Sequence, residues 1–461
     1  MLRRGGKRPG PASAIAAAVV VLAMLLVMLV RCSPAGAPDR DAKGPSRPRT
    51  AGPVVGWGFT HTQFSADHGT DAATDRVSRL LSAHPMPQNQ HLMGWGAGNP
   101  EPSPGRYDFT DLDRRVALIR RTGGTPVLTL CCAPDWMKGG TAGQTDWDAL
   151  EKAPEPAHYA DFAALAGKVA QRYPDVRHFV VWNEFKGFFD DRKGRWDYEG
   201  YTRMYNLVYR ELKKVNAENQ VGGPYLVMDS FVPGDDTHAS DVKGPWGSID
   251  QRTLDAFGYW NAHRAGADFV TVDGSSYSKD GRYAPDPFTA ARKFADVGRW
   301  LRARTGLPLW WSEWYVEIAA GGGGDRAKVW SERRRIAAQA TALVEMAAGG
   351  AAGGFYWNPE DEGGGGDGGG GGCPGCLWSS TERDDGGREL PMMQLLSRFS
   401  AAFPPGARPP RELATGRAQV LGLAGEHTAL LVNTSARPDT ATVDGQDIAL
   451  DGYQVRWIDR P

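Results

Sequence analysis

The sequence predicts an α/β protein: a (β/α)8 barrel, or TIM barrel, followed by a small C-terminal antiparallel β-domain. Runs typical of strands alternate with runs typical of helices eight times between residues 54 and 357. No glycine-rich dinucleotide fingerprint follows the first strand, which argues against the alternative, a doubly wound open sheet. After Phe403 the pattern changes to short alternating runs separated by turn residues.

Each predicted barrel strand is a short apolar run rich in β-branched or aromatic residues. The eight runs are Val54–Phe59, His91–Trp95, Pro126–Leu130, Phe179–Glu184, Val221–Val227, Asp268–Val272, Pro308–Glu313 and Gly353–Trp357. The segments between them carry apolar residues at helical spacing, for example Tyr201, Met204, Tyr205, Val208, Leu212 and Val215. Eight strand–helix units in succession are typical of a barrel.

The C-terminal part contains four short alternating runs, Ala418–Leu423, Thr428–Asn433, Thr440–Val443 and Tyr453–Ile458. They predict a β-sandwich-like accessory domain over residues 404–461, and the barrel is then expected over residues 53–403. The accessory domain contains no obvious chemistry, so we expect it to pack against the flank of the barrel.

The first 37 residues are typical of a targeting segment. Four basic residues precede the apolar run Ala14–Val30, and Ala35-Gly36-Ala37 is a small-residue cleavage site. The run is close to the shortest length that spans a bilayer, so residues 1–37 are either a signal peptide or an uncleaved signal anchor. Residues 38–52 are rich in Pro, Arg and Gly and are expected to form a linker. The sequence therefore predicts an extracellular protein or, alternatively, one anchored in the membrane by residues 14–30.

The overall charge argues against a nucleic-acid partner. The net charge is −1, with both signs interspersed, whereas nucleic-acid binding needs a basic patch. The chain also contains 16 tryptophans, and exposed tryptophan commonly stacks on flat apolar faces such as sugar rings.

Five cysteines in an exported chain allow disulfides. Cys32 is expected to be removed with the leader. Cys131 and Cys132 end one strand, and Cys373 and Cys376 lie in a glycine-rich loop. These four could be zinc ligands, but we favour disulfide bonding, with the partners left open.

Two glutamates end predicted strands beside tryptophan: Glu184 ends the fourth and Glu313 ends the seventh. A buried carboxylate is costly unless it is used or paired. In a barrel, reactive groups lie at the carboxyl ends of the strands, and strands four and seven face each other across the mouth. Two converging carboxyls are the acid/base and nucleophile that a retaining glycosidase needs.

These motifs resemble glycoside hydrolase clan A, and within it most closely family 39, the β-xylosidase and α-L-iduronidase group. The resemblance rests on Trp182-Asn183-Glu184 after strand four and Glu313 after strand seven. Two further segments fit, Pro104–Phe109 after strand two and Ala133–Trp136 after strand three.

The resemblance implies roles for the site residues. Glu184 matches the acid/base, Glu313 the nucleophile and Asn183 the residue that hydrogen-bonds the sugar 2-hydroxyl. Other residues expected to bind substrate are Tyr277, which would orient the nucleophile, Trp357, which would form the floor of the sugar subsite, and Trp136, His61 and Trp95. Structural alternatives stay open for these residues, as a loop histidine for His61 and as core aromatics for the tryptophans.

One departure from the family pattern lies after strand six. Asp273 stands where the family has histidine, and two extra residues precede Tyr277.

The two glutamates and the family resemblance together predict a retaining glycoside hydrolase without metal or other cofactor, acting on an oligo- or polysaccharide. Exo-action on a β-xyloside-like sugar, which the resemblance implies, is the leading hypothesis. The alternatives are an endo-acting glycanase or transglycosylase on the same barrel, and a catalytically silent barrel that binds polysaccharide.

Overall fold

Eight parallel strands close into a barrel. The computed structural model describes residues 55–317, 330–357, 359–360 and 375–460. The barrel strands are β1 Gly56–Thr60, β2 Pro87–His91, β3 Thr125–Leu130, β4 His178–Val181, β5 Gln220–Val227, β6 Phe269–Ser275, β7 Leu309–Tyr315 and β8 Ala351–Tyr356. Each strand pairs with its neighbours in the chain, and β8 pairs with β1 to close the ring. The predicted (β/α)8 barrel is confirmed.

Helices connect the strands and cover the outside of the barrel. They are α1 Asp71–Ala83, α2 Thr110–Arg121, α3 Tyr159–Arg172, α4 Tyr198–Val215, α5 Gln251–His263, α6 Pro287–Ala290, α7 Arg292–Thr305, α8 Glu332–Ala348 and α9 Pro391–Ala402. The apolar residues that repeat at helical spacing in the sequence form the buried face of α4. They are Tyr201, Met204, Tyr205, Val208 and Leu212. Asp197 caps this helix by accepting a hydrogen bond from the amide of Gly200.

Shorter elements lie in the loops. Three 3₁₀-helices follow β3, at Asp135–Met137, Trp147–Ala149 and Pro156–His158. Short antiparallel strands pair at Phe189–Asp190 with Arg195–Trp196, and at Gly247–Asp250 with Ser230–Phe231 and Ala239–Gly244.

The predicted second strand is wrong in position, because β2 ends at His91 instead of starting there. Its residues Gln88, Asn89 and Gln90 are polar and fully buried, so an apolar pattern could not reveal them. Their side chains are paired: Asn89 accepts from Thr129 at 2.9 Å, and Gln88 pairs with His61 at 2.8 Å and donates to Thr122, directly after α2, at 3.1 Å. This wall of the barrel is stabilised by hydrogen bonds instead of apolar packing.

The rest of the barrel interior is apolar. Trp310 of β7 stacks on Phe269 of β6, and both rings are fully buried. The remaining members of this cluster are Val55, Val127, Val180, Tyr225 and Phe355. A layer of large side chains thus closes the barrel below its mouth, as expected when inward-facing residues fill a small barrel.

The C-terminal residues form antiparallel strands after α9. They are β9 Arg411–Glu412, β10 Val420–Ala424, β11 Thr428–Asn433, β12 Asp439–Val443, β13 Gln446–Leu450 and β14 Val455–Asp459. Strands β9, β10, β11 and β14 form one sheet, and β12 pairs with β13. Trp457 of β14 packs beside Phe399 and Phe403, so this sheet contacts the end of α9. The domain boundaries given above stay a prediction.

Cys131 and Cys132 are bonded to each other in a vicinal disulfide. Cys376 is also disulfide-bonded, and Cys373 lies outside the described residues. Because a disulfide sulfur is not a thiolate, Cys131 and Cys132 do not take part in the four-cysteine zinc site considered above.

The predicted leader and linker, residues 1–52, lie outside the described residues, as do the glycine runs 321–324 and 363–372. Among the described helices, none combines the length and the apolar character that a membrane crossing requires.

A buried ion pair ties α2 to the loop after β1. Arg115 Nε lies 3.0 Å from Asp67 Oδ2, and both side chains are almost completely buried. The guanidinium also donates to the carbonyl oxygens of Thr62 and Gln63, at 2.9 and 3.0 Å. This loop starts at the mouth of the barrel, so Arg115 fixes one side of the mouth.

We predict that Arg115→Ala lowers the free energy of unfolding by about 3–5 kcal/mol, because it leaves the carboxylate of Asp67 buried with less compensation. Arg120 on the same helix is the matched control. It pairs with Asp175 in solvent, and Arg120→Ala should change stability by no more than about 1 kcal/mol. Urea unfolding of both variants measures the difference, and equal losses would contradict the proposed role of Arg115.

Candidate active site

A strained turn after β4 carries Glu184 into the barrel mouth. The strand ends at Val181, and Trp182, Glu184 and Phe185 all have positive φ angles, of 70°, 49° and 57°. Bulky residues rarely adopt this left-handed region, and such strain persists only where packing enforces it. Here the Trp182 ring is fully buried, and its Nε1 donates to the carbonyl of Lys186 at 2.8 Å. The turn leaves the Glu184 side chain 12% exposed.

Glu313 lies inside β7 and is buried. Two phenols donate to its carboxyl: Tyr225 of β5 to Oε1 and Tyr315 of β7 to Oε2, each at 2.5 Å. Tyr315 is two residues further along the same strand, so its side chain lies on the same face. Burial and the charge of Glu184 raise the pKa of Glu313 to about 8, and the two phenolic hydrogen bonds oppose this rise.

Asp273 of β6 joins the two glutamates. It is paired in register with Glu313 of β7, directly after an irregularity in the strand pairing between Val272 and Asp273. Bulges of this kind turn a side chain to a new direction and are common beside active sites. One carboxyl oxygen from each of Glu184, Asp273 and Glu313 lies within 4.8 Å of the other two. The structure thus forms a cluster of three carboxyls at the mouth.

Lys186 places a positive charge on this cluster. Its Nζ lies 2.6 Å from Glu184 Oε2 and 2.5 Å from Glu151 Oε1. Burial by itself would raise the pKa of Glu184, but the hydrogen bond from Asp273 and the Lys186 ammonium outweigh it and hold that pKa below its usual value. Burial and the neighbouring Glu184 raise the pKa of Asp273 well above its usual value.

The spacing of the three carboxyls would also suit a cation. However, the Lys186 ammonium already contacts Glu184, and the Tyr225 and Tyr315 phenols occupy both oxygens of Glu313. Both oxygens of Glu313 and one oxygen of Glu184 are therefore already paired with protein donors. We interpret the cluster as a site that shares protons.

A polar and aromatic wall lies beside Glu184. Asn183 is buried and precedes Glu184 in the chain, and its Oδ1 and both ring nitrogens of His91 have no hydrogen-bond partner among the described residues. Burial lowers the pKa of His91 to about 3, so its ring is neutral at physiological pH. The His91 ring contacts Trp95 at a centroid distance of 4.2 Å, and Trp357 meets both rings edge-on at 6.1 Å. The structure thus brings Trp95 and Trp357 together around His91, and the predicted roles of these two residues and of Asn183 stay predictions.

Three other predicted site residues have different surroundings. Both ring nitrogens of His61 are used by protein side chains, Ser65 at 2.6 Å and Gln88 at 2.8 Å, which favours the structural alternative. Trp136 Nε1 donates to the carbonyl of Glu101 at 2.9 Å. The ring of Tyr277 packs edge-on against Tyr283 at 6.2 Å.

The sequence reasoning missed five residues around the two glutamates: Asp273, Tyr225, Tyr315 and Lys186, which lie next to the carboxyls, and His91, which affects the pKa of Glu184. The sequence contained an indication of two of them. Tyr315 stands two residues after Glu313, a spacing that shares a strand face, and Asp273 was noted as a departure from the family pattern. The others meet the site only through strand pairing or turn geometry.

A cavity of about 910 Å³ extends away from Glu184 on the side of Lys186. Its lining includes Gly94, Trp95, Trp147, Leu150, Glu151 and Lys186. Trp147 is 51% exposed, which is unusual for a side chain of this size. The cavity offers aromatic surface beyond the carboxyl cluster.

Comparison with known proteins supports the barrel fold. No family model matches the chain. A β-xylosidase of Caldicellulosiruptor saccharolyticus is 28% identical over 139 residues, which make up 28% of this chain and 27% of that protein. The match thus covers little more than a quarter of this curated relative.

Solved structures match over most of the chain. A monomeric β-xylosidase from Caulobacter crescentus superposes with a TM-score of 0.53 and 18% identity, covering 84% of this chain and 76% of that one. A family 39 glycoside hydrolase from Bacteroides cellulosilyticus superposes with a TM-score of 0.52 and 13% identity, covering 88% and 80%. The chain resembles glycoside hydrolase family 39. A conserved exported protein from Bacteroides fragilis has the same fold, with a TM-score of 0.55, 13% identity and coverage of 90% and 99%.

The family 39 resemblance predicted from the motifs is therefore confirmed as a resemblance of fold and of part of the sequence. At these identities the solved structures establish the fold alone. The roles of the individual residues remain proposals and rest on the geometry described above.

The raised pKa of Glu313 predicts a pH-dependent effect on stability. Because the folded protein favours the neutral carboxyl, this contribution is complete below the ordinary pKa of 4.5 and is lost as the pH rises through about 8. Glu313→Gln cannot ionise, so its Tm should exceed that of the wild type by several degrees at pH 8 and by much less at pH 5. Thermal unfolding across this range measures the effect. Glu218→Gln, an exposed change, is the control, and a pH-independent difference for Glu313→Gln would contradict the prediction.

Proposed function

We propose that the protein is a retaining glycoside hydrolase that cleaves O-glycosidic bonds by double displacement. The observation that carries the proposal is the separation of the carboxyls, since oxygens of Glu184 and Glu313 lie no more than 4.8 Å apart. Retaining enzymes hold their two carboxyls about 5–5.5 Å apart, whereas inverting enzymes need about 6.5–9.5 Å to admit a water molecule. The measured separation favours the retaining mechanism.

In the first step of the proposed mechanism, Glu313 attacks the anomeric carbon while Glu184 donates a proton to the departing oxygen. The C–O bond to the leaving group breaks and a glycosyl ester forms on Glu313. In the second step Glu184 takes a proton from water, the water oxygen attacks the anomeric carbon, and Glu313 leaves as a carboxylate. The form of Glu313 that attacks is the carboxylate, which is the minor form below its raised pKa of about 8. The phenols of Tyr225 and Tyr315 donate to Glu313 and stabilise this carboxylate before the ester forms and after it is hydrolysed.

We propose a β-xyloside-like sugar as the substrate and exo-action as the mode of cleavage. The C. saccharolyticus relative and the C. crescentus structure are β-xylosidases, which supports this choice. Asn183 and the neutral His91 are the donors and acceptors available to the sugar hydroxyls, and Trp357 supplies an aromatic face for the ring. We further propose, from the N-terminal sequence alone, that the protein is exported.

The first test is activity on a panel of aryl glycosides. Glu313→Ala should lose turnover on every substrate, because no nucleophile remains. Glu184→Ala should cleave substrates with poor leaving groups about 10²–10⁴-fold more slowly than wild type. The rate on substrates with good leaving groups should fall much less, because these leaving groups need no proton. A wild-type protein that binds polysaccharide but cleaves nothing would instead support the silent binding barrel.

Endo-action or transglycosylation on the same barrel is the second candidate. The large cavity beside Lys186 favours it, because the space lies on the side of the acid, where the leaving group departs. A volume of about 910 Å³ lies in the upper range for ligand sites. The exposed Trp147 offers a flat surface on which a further sugar ring can stack.

If this cavity holds further sugar units, Trp147→Ala should lower kcat/KM on oligosaccharides by ~10-fold, equivalent to about 1.4 kcal/mol of lost binding. The same variant should cleave an aryl monoglycoside at the wild-type rate, because that substrate is too short to reach Trp147. Leu207→Ala, an exposed change outside the cavity lining, is the control. Equal kinetics of Trp147→Ala and wild type on both substrates would favour the exo-enzyme.

A further inference from the structure

The closeness of Asp273 and Glu184 implies a shared proton. Their carboxyl oxygens lie within 4.8 Å of each other, Asp273 is only 2% exposed, and its Oδ1 has no hydrogen-bond partner among the described residues. Two carboxyls this close and this buried are costly to ionise together, because each negative charge disfavours the other. The pair therefore retains one proton under conditions in which separate carboxyls would both be ionised.

Glu184 needs this proton because Lys186 acts against it. The ammonium at 2.6 Å favours the ionised form of Glu184, whereas a general acid must be protonated when the leaving group departs. Lys186 thus favours loss of the proton from Glu184, although Glu184 is the residue proposed to donate it. A second source of the proton beside it resolves this conflict.

We propose that Asp273 is a positioning residue that shares one proton with Glu184, so that Glu184 acts as a general acid at neutral pH despite the ammonium of Lys186. This inference rests on the proposed function and deepens it. In the empty site the proton lies on Asp273. As the leaving group departs, this proton passes from Asp273 to Glu184 and from Glu184 to the leaving oxygen, so both carboxyls are ionised at the end of the first step. In the second step the proton taken from water restores the pair.

Lys293 lies where it can stabilise this transient Asp273 carboxylate. The side chain belongs to α7 and is fully buried, with its Nζ 3.0 Å from Ser230 Oγ and 3.2 Å from the carbonyl of Tyr277. Burial lowers the pKa of Lys293 to about 8, and the charges of Asp229 and Asp273 oppose this change. The Lys293 ammonium is therefore a second positive charge that acts on Asp273, in addition to Lys186 beside Glu184.

Other groups around the pair also affect its titration. The titratable and charged side chains that face Asp273, Glu184 and their direct neighbours are His91 after α1, Glu151 after β3, Lys186 after β4, Tyr225 in β5, Asp229 and Asp250 after β5, Tyr277 and Lys279 after β6, Lys293 in α7, and Glu313 and Tyr315 in β7. Because the carboxyls interact strongly, their apparent pKa values belong to the cluster as a whole.

The test is the pH dependence of kcat/KM for Asp273→Asn. Asparagine has nearly the same shape but no exchangeable acid proton to share, so Glu184 then faces Lys186 alone. On a substrate with a poor leaving group, the basic limb of the pH profile of kcat/KM should move to lower pH by about one unit or more. At a pH above the shifted limb, kcat/KM should therefore be ~10-fold lower than in wild type. On a substrate with a good leaving group, which needs no proton, the loss should be much smaller, and circular dichroism checks that the fold is intact.

Lys186→Gln provides the opposite change. Removing the ammonium favours the protonated Glu184, so the basic limb on the poor leaving group should move to higher pH. An unchanged basic limb in Asp273→Asn, or an equal loss on good and poor leaving groups, would overturn the inference and leave Asp273 with a purely structural role.

A direct titration separates this inference from the proposed function. The full-length protein is labelled with ¹³C at the aspartate and glutamate carboxyls, and the signals of wild type and Asp273→Asn are followed by NMR as the pH is raised. Wild type should show one carboxyl pair that releases its last proton well above the usual range, and in Asp273→Asn the Glu184 signal should titrate at lower pH. If this holds in a protein that cleaves no glycoside, the shared proton stands and the proposed function fails. If Asp273 and Glu184 titrate independently at ordinary values, the inference fails whatever the activity.

Discussion

The site depends on bringing three carboxyls together in a nearly dry barrel mouth. Three negative charges within a few ångströms cannot all be ionised there, because their mutual repulsion adds to the cost of leaving water. The surrounding structure answers this constraint in three ways: Lys186 adds a positive charge to Glu184, Tyr225 and Tyr315 donate to Glu313, and Asp273 retains a proton. The different surroundings allow chemically similar groups to act as acid and as nucleophile.

The barrel supplies the rigidity that this arrangement needs. Non-glycine residues with positive φ are concentrated around the mouth, at Trp95, Trp182, Glu184, Phe185 and Tyr225. Each of these backbone conformations is costly and persists because the buried aromatic rings leave no alternative packing. The layer around Trp310 and Phe269 supports the strands below. Free energy from core packing is thus used to hold side chains where an unconstrained chain would not place them.

Asp273 adds a third carboxyl to the mouth of the barrel and makes the cluster more negative. Lys186 contacts Glu184, and the Lys293 ammonium acts on Asp273, so two positive charges oppose this effect. The wall formed by His91, Asn183, Trp95 and Trp357 is independent of this change and remains available to a sugar ring. The cavity toward Trp147 lies beyond Lys186, so the same cation separates the reacting bond from the space for a longer substrate.

The sequence by itself determined the barrel, the order of its strands and the convergence of Glu184 and Glu313, because strand and helix periodicity are local properties and the carboxyl ends of parallel strands meet at one edge. It misplaced β2, since Gln88, Asn89 and Gln90 are buried through hydrogen bonds that no hydropathy pattern shows. Only the tertiary structure decided that Tyr225 and Tyr315 contact Glu313, that Lys186 turns back onto Glu184, and that Asp273 lies next to it. These contacts depend on strand register, a bulge and a left-handed turn, which join residues far apart in the chain.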